Sequence, residues 1–151
     1  MIGSMERRAA RVCAPVIINH PVRWLGLLAL CAAYIQGSLM KIFDFGAAIA
    51  EMEHFGLLPA APIAAAVIVF ELLCSAMILS GFCRWIGALA LCAFTIAATF
   101  VALRFWQMPA GMERMMATNA FFEHIGLAGG FLLVAWYDLH RWKTWPKDDW
   151  S

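Results

Sequence analysis

The sequence is poor in charged residues for a chain of its length. Charged side chains make up 14% of the 151 residues and hydrophobic ones 64%, whereas a soluble domain carries about 25% charged residues. This shortage excludes an ordinary soluble surface and predicts one integral membrane domain. The formal net charge is only +1 and the basic residues form no stripe, which argues against a nucleic-acid partner.

The chain also lacks the motifs of common redox and metal sites. Its five cysteines include no Cys-x-x-Cys, which argues against an oxidoreductase that passes electrons from periplasmic thiols to quinone. Its four histidines have no metal-ligand spacing, so we predict no metal site. One polar loop offers four thioethers that suit Cu(I), although adaptable apolar contact is the favoured interpretation. These methionines are Met108, Met112, Met115 and Met116.

Four apolar runs are present, and each predicts a helix able to cross a bilayer. The predicted spans cover residues 24–42, 60–82, 85–105 and 119–137. The fourth is the least obvious, because its purely apolar part is short and the span must carry Glu123 and His124 into the membrane. We therefore predict an all-α, four-helix membrane bundle over residues 23–138, between an N-terminal segment, 1–22, and a tail, 139–151.

The distribution of lysine and arginine predicts the orientation of the bundle. Eight cations lie at one set of helix ends and three at the other, which by the positive-inside rule places both termini in the cytoplasm. The eight are Arg7, Arg8, Arg11, Arg23, Arg84, Arg141, Lys143 and Lys147, and the three are Lys41, Arg104 and Arg114. The N-terminal segment resembles the start of a signal peptide, but Pro15 and Pro21 interrupt its apolar patch and no cleavage site follows. We predict that it is retained.

The loop after the first span has the pattern of a short helix. Asp44 is suited to cap it, and the following apolar residues share one face, which predicts a helix lying on the membrane surface. These residues are Ala48, Ile49, Met52 and Phe55.

Each span contributes one polar side chain at a similar depth. Counting about 1.5 Å per residue from the inner Trp or Tyr places all four about 18–20 Å into the membrane. The four are Gln36, Glu71, Thr99 and His124. Glu123 adjoins this layer, and Lys41 and Arg104 lie one to two turns nearer the outer surface. A carboxylate at mid-membrane costs about 2.5–3.5 kcal/mol, so Glu71 must face other helices, pair with a donor or stay protonated.

Two interpretations of the polar layer are open. In the first, it lines a cavity in which Glu71 and His124 are catalytic groups that handle protons. The cofactor contacts would then be Gln36, Lys41, Glu71, Thr99, Arg104, Glu123 and His124. In the second, Glu71 is neutralised by a neighbouring cation, and the layer is a structural network that specifies helix packing.

Several short motifs follow one another along the chain. They are Gly37-x-x-x-Lys41 before Asp44, Gly56-Leu57-Leu58-Pro59, Glu71, Leu79-x-Gly81-x-x-Arg84, Phe94-Thr95-x-x-Ala98-Thr99, and Phe121-Phe122-Glu123-His124 followed by Gly129-Gly130-Phe131-Leu132-Leu133. This order resembles the DoxX family of small bacterial membrane proteins over roughly residues 23–137. The chain departs from the family at Arg104, near a position that is often histidine, and at Glu123-His124, where lysine and asparagine are usual.

The resemblance implies a multi-pass protein of the bacterial inner membrane. Members occur as subunits of thiosulfate:quinone oxidoreductase or beside thiol-stress systems, which implies a quinone cofactor and either redox partner subunits or a homo-oligomer. The leading hypothesis is a quinone-contacting subunit of a redox system. The alternatives are a non-catalytic accessory or assembly protein and, with less support because four short helices leave little lumen, a small-solute permeation pathway. Whether the chain is an enzyme stays open.

Overall fold

The computed structural model describes residues 2–144, which form six α-helices and one short 3-10 helix. The α-helices are α1 (Ile2–Ile17), α2 (His20–Phe43), α3 (Phe45–His54), α4 (Ala60–Ser80), α5 (Arg84–Ala102) and α6 (Met112–Thr144), and the 3-10 helix is Phe105–Gln107. The described range contains no strand, so the predicted all-α class is confirmed. Lys147 and the rest of the predicted tail from residue 145 onward lie outside the described residues.

Four of the helices, α2, α4, α5 and α6, are long and apolar enough to cross a membrane. The predicted membrane bundle is thereby confirmed, although two helix ends differ from the prediction. The last helix begins at Met112 rather than near residue 119, and its 33 residues extend about 50 Å, well beyond a hydrocarbon core of about 30 Å. Its first turns are polar, so hydropathy detects the span but not the whole helix. In α5 the helix stops at Ala102, and Arg104 lies in the connection that follows.

The spanning helices are arranged in the order α2, α4, α5, α6, and the first and last of them make few contacts with each other. The tightest approach joins α4 to α5 at Gly87, where an added Cβ would lie 2.8 Å from the carbonyl oxygen of Cys74. Near the middle of the bundle, the rings of Tyr34 and Phe131 meet edge to face with centroids 5.4 Å apart. This aromatic pair joins α2 to α6.

The two ends of the bundle differ in their cations and are called the Arg84 end and the Lys41 end. The Arg84 end carries the first residues of α2 and α5 and the last residues of α4 and α6. The Lys41 end carries α3 and the opposite termini of the same helices. The sequence predicts that the Arg84 end faces the cytoplasm, and this orientation remains a prediction.

The short helix α3 forms as expected but packs differently. Asp44 caps it, since its Oδ1 accepts a hydrogen bond from the Ala47 backbone nitrogen at 2.9 Å. Its apolar face was predicted to lie on the membrane surface. Instead, Ala48 and Met52 are 2% and 5% exposed and pack against Ala60 and Ala64 of α4. The same face therefore docks α3 on the bundle, where it covers the Lys41 end.

The N-terminal segment is helical where an interruption was expected. The helix α1 continues through Pro15 to Ile17, because a proline close to a helix end removes only one backbone hydrogen bond. Asn19 then separates α1 from α2. Its side chain accepts from the Val22 nitrogen at 2.9 Å and donates to the Val16 carbonyl at 2.6 Å. Both bonds fix the elbow between the two helices.

Candidate functional site

A cavity of about 440 Å³ lies inside the bundle toward the Lys41 end. It is bounded by α2, α4, α5 and α6, and residues of α3 and the following loop line it at the Lys41 end. Most of its wall is apolar. The polar side chains that line it and enter the argument below are Tyr34, Lys41, Glu51, Glu71, Thr95, Thr99 and His124. The structure thus brings together four of the predicted site residues, namely Lys41, Glu71, Thr99 and His124.

Glu71 is the buried carboxyl of this cavity. It lies near the middle of α4, is 6% exposed, and its Oε2 accepts a hydrogen bond from the Ser38 hydroxyl at 2.7 Å. Ser38 is fully buried on α2, so the bond joins two spanning helices. Among the described residues, no hydrogen bond reaches the other carboxyl oxygen, Oε1. One oxygen is therefore held by the protein, and the other is available to a ligand or a proton.

The hydroxyl groups of the cavity have their protons committed to the protein. Thr95 donates to the Leu91 carbonyl and Thr99 donates to the Thr95 carbonyl, each within α5. The Tyr34 hydroxyl is hydrogen-bonded to Thr95 Oγ1, and since the Thr95 proton is already used, Tyr34 is the donor. These three groups consequently offer a ligand lone pairs rather than protons.

His124 is half-buried on α6, and its hydrogen bond fixes the proton on the ring. Its Nδ1 lies 2.6 Å from the carbonyl oxygen of Ala120. A carbonyl can only accept, so Nδ1 carries the hydrogen, and in the neutral ring Nε2 is an acceptor. His124 therefore adds another acceptor to the cavity unless it is protonated.

Lys41 supplies spare donors to the same cavity. Its Nζ lies 3.8 Å from a carboxylate oxygen of Glu51 on α3, which leaves N–H groups of the ammonium free. The lysine side chain is 19% exposed and the glutamate side chain 46%, so the pair sits at the aqueous edge of the cavity. The lining as a whole is richer in hydrogen-bond acceptors than in donors, and its single ammonium lies at one end.

Three predicted site residues do not line the cavity. Gln36 is exposed on α2, because it is two residues from the buried Ser38 and so points about 200° away around the helix. Arg104 is exposed beyond the end of α5, and Glu123 is exposed beside His124. A count of residues gives a position along a helix, but it does not determine which face of the helix a residue occupies.

Three site residues were missed by the sequence analysis: Tyr34, Ser38 and Thr95. A signal for the first two exists, since the buried positions of α2 are Leu27, Cys31, Tyr34 and Ser38. Their spacing of four, three and four residues is that of one buried helical face. Within the described part of the chain, no group of three or more His, Cys, Asp or Glu residues is arranged to hold a metal ion.

Four apolar spanning helices around a partly polar interior define a multi-pass membrane protein in contact with the lipid bilayer. A family model described as DoxX matches residues 25–104, which is just over half of the chain. The protein belongs to the DoxX family. The match covers α2 to α5 and stops before α6, so it does not include His124. No curated protein and no solved structure matches the chain.

Proposed function

We propose that this DoxX protein is a quinone-binding subunit of a redox system in the bacterial inner membrane, and that its cavity holds the quinone headgroup. The observation that carries the proposal is a mostly apolar cavity of about 440 Å³ containing one buried carboxyl with a free oxygen. Pockets of about 300–1,000 Å³ with apolar walls and few polar groups are typical of small-molecule sites. A quinone supplies two-electron, two-proton chemistry when bound.

The hydrogen-bonding capacity of the cavity favours the reduced form of the ligand. A quinol has two hydroxyl donors, and the free Oε1 of Glu71 and Nε2 of His124 are acceptors. In the oxidation of a quinol, Glu71 and His124 each accept one proton, and the two electrons pass to a redox centre of a partner subunit. Lys41 contributes a positive charge at one end, where it stabilises the negative charge that develops on an oxygen as its proton leaves.

The route into the cavity runs from the bilayer rather than from water. Residues of α3 and the next loop, including Met52 and Phe55, lie across the Lys41 end and narrow access from water. The seam between α2 and α6 is sparsely packed, and small residues such as Ala33 and Gly37 line the cavity on the α2 side. A headgroup carried on an isoprenoid tail would enter by this seam and leave its tail in lipid.

The test uses a cavity-filling variant, Gly37→Leu, because no atom lies within 4 Å of a Cβ added at this cavity-lining residue. The matched control is Gly126→Leu on α6, which also has open space around its Cβ and does not line the cavity. Quinones co-purified from bacterial membranes are quantified by mass spectrometry, and a short-chain quinol is titrated by tryptophan fluorescence. We expect wild type and the control to bind, and Gly37→Leu to bind at least tenfold more weakly.

Glu71→Gln tests the carboxyl separately. The amide oxygen still accepts from Ser38, so the fold is kept, but a charged acceptor is replaced by a neutral one. We expect weaker quinol binding, with quinone binding changed less. If wild type retains no quinone and binds no quinol, the proposal is refuted.

A second candidate function, that of a non-catalytic accessory protein, is favoured by one observation. The Ser38–Glu71 hydrogen bond joins α2 to α4 without any ligand, as a purely structural network would. In that case Glu71→Ala lowers protein yield and melting temperature, while Gly37→Leu leaves every measured activity unchanged.

A further inference from the structure

A second and larger cavity, of about 690 Å³, lies at the Arg84 end, on the opposite side of the Tyr34–Phe131 pair. It is bounded by the elbow between α1 and α2 on one side and by α6 on the other. Three arginines line it, Arg23, Arg84 and Arg141. Among the residues that the structure describes, Asp138 is the carboxylate beside them, 3.6 Å from Arg84, so three guanidinium groups face one carboxylate.

Two of the arginines are held in place before any ligand arrives. The Nε of Arg84 donates to the Ile78 carbonyl at 2.8 Å, and its guanidinium pairs with Asp138, each side chain being less than 15% exposed. The Arg23 guanidinium lies over the ring of Tyr137, 5.9 Å from its centroid. Fixed guanidinium groups lose less conformational freedom when they bind an oxyanion. Arg141 is exposed at the rim.

Asn19 and His20 line the cavity at the elbow, and the wall between α2 and α6 is apolar. It is formed by Gly26, Leu27 and Leu30 of α2 and by Leu133 and Val134 of α6. No atom lies within 4 Å of a Cβ added at Gly26, so the groove is open beside this residue. Farther along α2 it narrows, since a Cβ at Gly130 would lie 3.0 Å from Leu30. The cavity is therefore cationic at its mouth and apolar between α2 and α6.

The position of the mouth matches the level of lipid headgroups. Each arginine is followed directly by a tryptophan, in Arg23-Trp24, Arg84-Trp85 and Arg141-Trp142, and such pairs favour the boundary between lipid and water. Basic pockets between transmembrane helices at the cytoplasmic surface suit acidic lipid headgroups. The distribution of lysine and arginine likewise predicts that the Arg84 end faces the cytoplasm.

We propose that this cavity is a binding site for an anionic phospholipid. Arg23 and Arg141 contact the phosphate group, Arg84 adds its charge from the inner wall, and an acyl chain lies in the groove beside Gly26. This site is separate from the quinone cavity. Gly26 lines this site and Gly37 lines the quinone cavity, and both residues lie on the same side of α2, since eleven residues make about three helical turns.

The test measures the melting temperature of the full-length protein in detergent after delipidation, with added phosphatidylglycerol, phosphatidylcholine or inorganic phosphate. We expect stabilisation by phosphatidylglycerol alone. In Arg23→Gln/Arg141→Gln, the lipid concentration for half-maximal stabilisation should rise at least tenfold. Gly26→Leu, which fills the groove and keeps every charge, should have the same effect. The control Arg8→Gln/Arg114→Gln removes two exposed cations outside the cavity and should behave as wild type.

Each result bears directly on the proposal. Equal stabilisation by phosphatidylcholine, or an undiminished response in both the double arginine variant and Gly26→Leu, overturns it. Stabilisation by inorganic phosphate that Gly26→Leu does not weaken replaces the lipid with a free anion and also overturns it. If the double arginine variant does not fold, Gly26→Leu alone decides the outcome.

Discussion

The two buried serines of the bundle permit a matched test of the Ser38–Glu71 hydrogen bond. Ser38 is fully buried and donates to Glu71 at 2.7 Å. Ser75, on α4 one turn after Glu71, is 1% exposed, and its Oγ lies beside the thiol of Cys31, a weak partner, with no hydrogen bond of normal geometry in the described part of the chain. Replacing each serine by alanine deletes the same single oxygen from the same core. The two substitutions therefore differ in whether a hydrogen bond of normal geometry is lost.

We expect Ser38→Ala to lower the free energy of unfolding and Ser75→Ala to leave it unchanged or slightly raised. Hydrogen bonds between transmembrane helices are worth about 0.6 kcal/mol on average and up to about 1.7 kcal/mol, and bonds to charged groups in proteins are worth about 1.5–3 kcal/mol. For Ser38→Ala we expect a loss of about 1–2 kcal/mol in the free energy of unfolding, which reduces the ratio of folded to unfolded protein about 5- to 30-fold. Ser75→Ala removes a buried hydroxyl with only a weak thiol partner, so it should be neutral or slightly stabilising.

The assay is reversible unfolding by sodium dodecyl sulfate in mixed micelles, followed by far-ultraviolet circular dichroism. The free energies of the two variants are compared at the same detergent composition, so that effects of the micelle cancel. If Ser75→Ala costs as much as Ser38→Ala, the oxygen of Ser38 has no special partner. The assignment of Ser38 as the group that positions Glu71 would then be wrong.

Three further predictions follow from single contacts. Gly87→Ala should destabilise the protein by about 1–3 kcal/mol through overpacking, because its Cβ would lie 2.8 Å from the Cys74 carbonyl. The control Gly126→Ala, in open space, should stabilise it by about 0.5–1 kcal/mol. Equal effects of the two substitutions on the unfolding curves would contradict the close packing at Gly87. Asp44→Ala should cost about 0.5–2 kcal/mol by removing the α3 cap, seen as faster hydrogen exchange in α3 and not in α4. Cys13, as the sole cysteine of a variant, is exposed and should react with an impermeant maleimide in inverted vesicles and not in intact cells; the reverse pattern places the N-terminus outside.

The apolar runs were sufficient to predict the membrane bundle, because spanning a bilayer requires a length and a hydrophobicity that are local properties of the sequence. The count of residues also grouped Glu71, Thr99 and His124, which line the same cavity. The rotation of each helix depends on its neighbours. Gln36 was assigned to the site and is exposed, whereas Ser38, at nearly the same depth, is the residue that holds Glu71.

Two other differences have the same physical origin. The apolar face of α3 was predicted to contact lipid, yet it packs on Ala60 and Ala64, since hydrophobicity alone does not distinguish a lipid surface from a protein surface. Arg104 was expected beside a headgroup, but α5 ends before it, and a hydropathy profile does not mark the last hydrogen-bonded turn. The packing of α3 depends on its contact with α4, which the local sequence does not specify.

The position of α3 across the Lys41 end affects how ligand occupancy of the 440 Å³ cavity should be expressed. If the proposed ligand enters through the seam between α2 and α6, the cavity exchanges that ligand with the surrounding lipid. Its saturation then follows the number of ligand molecules per lipid molecule, and the volume of the aqueous phase drops out of the binding equation. Dilution of a vesicle suspension at constant lipid composition should consequently leave the bound fraction unchanged, whereas adding empty vesicles that fuse with the sample should lower it.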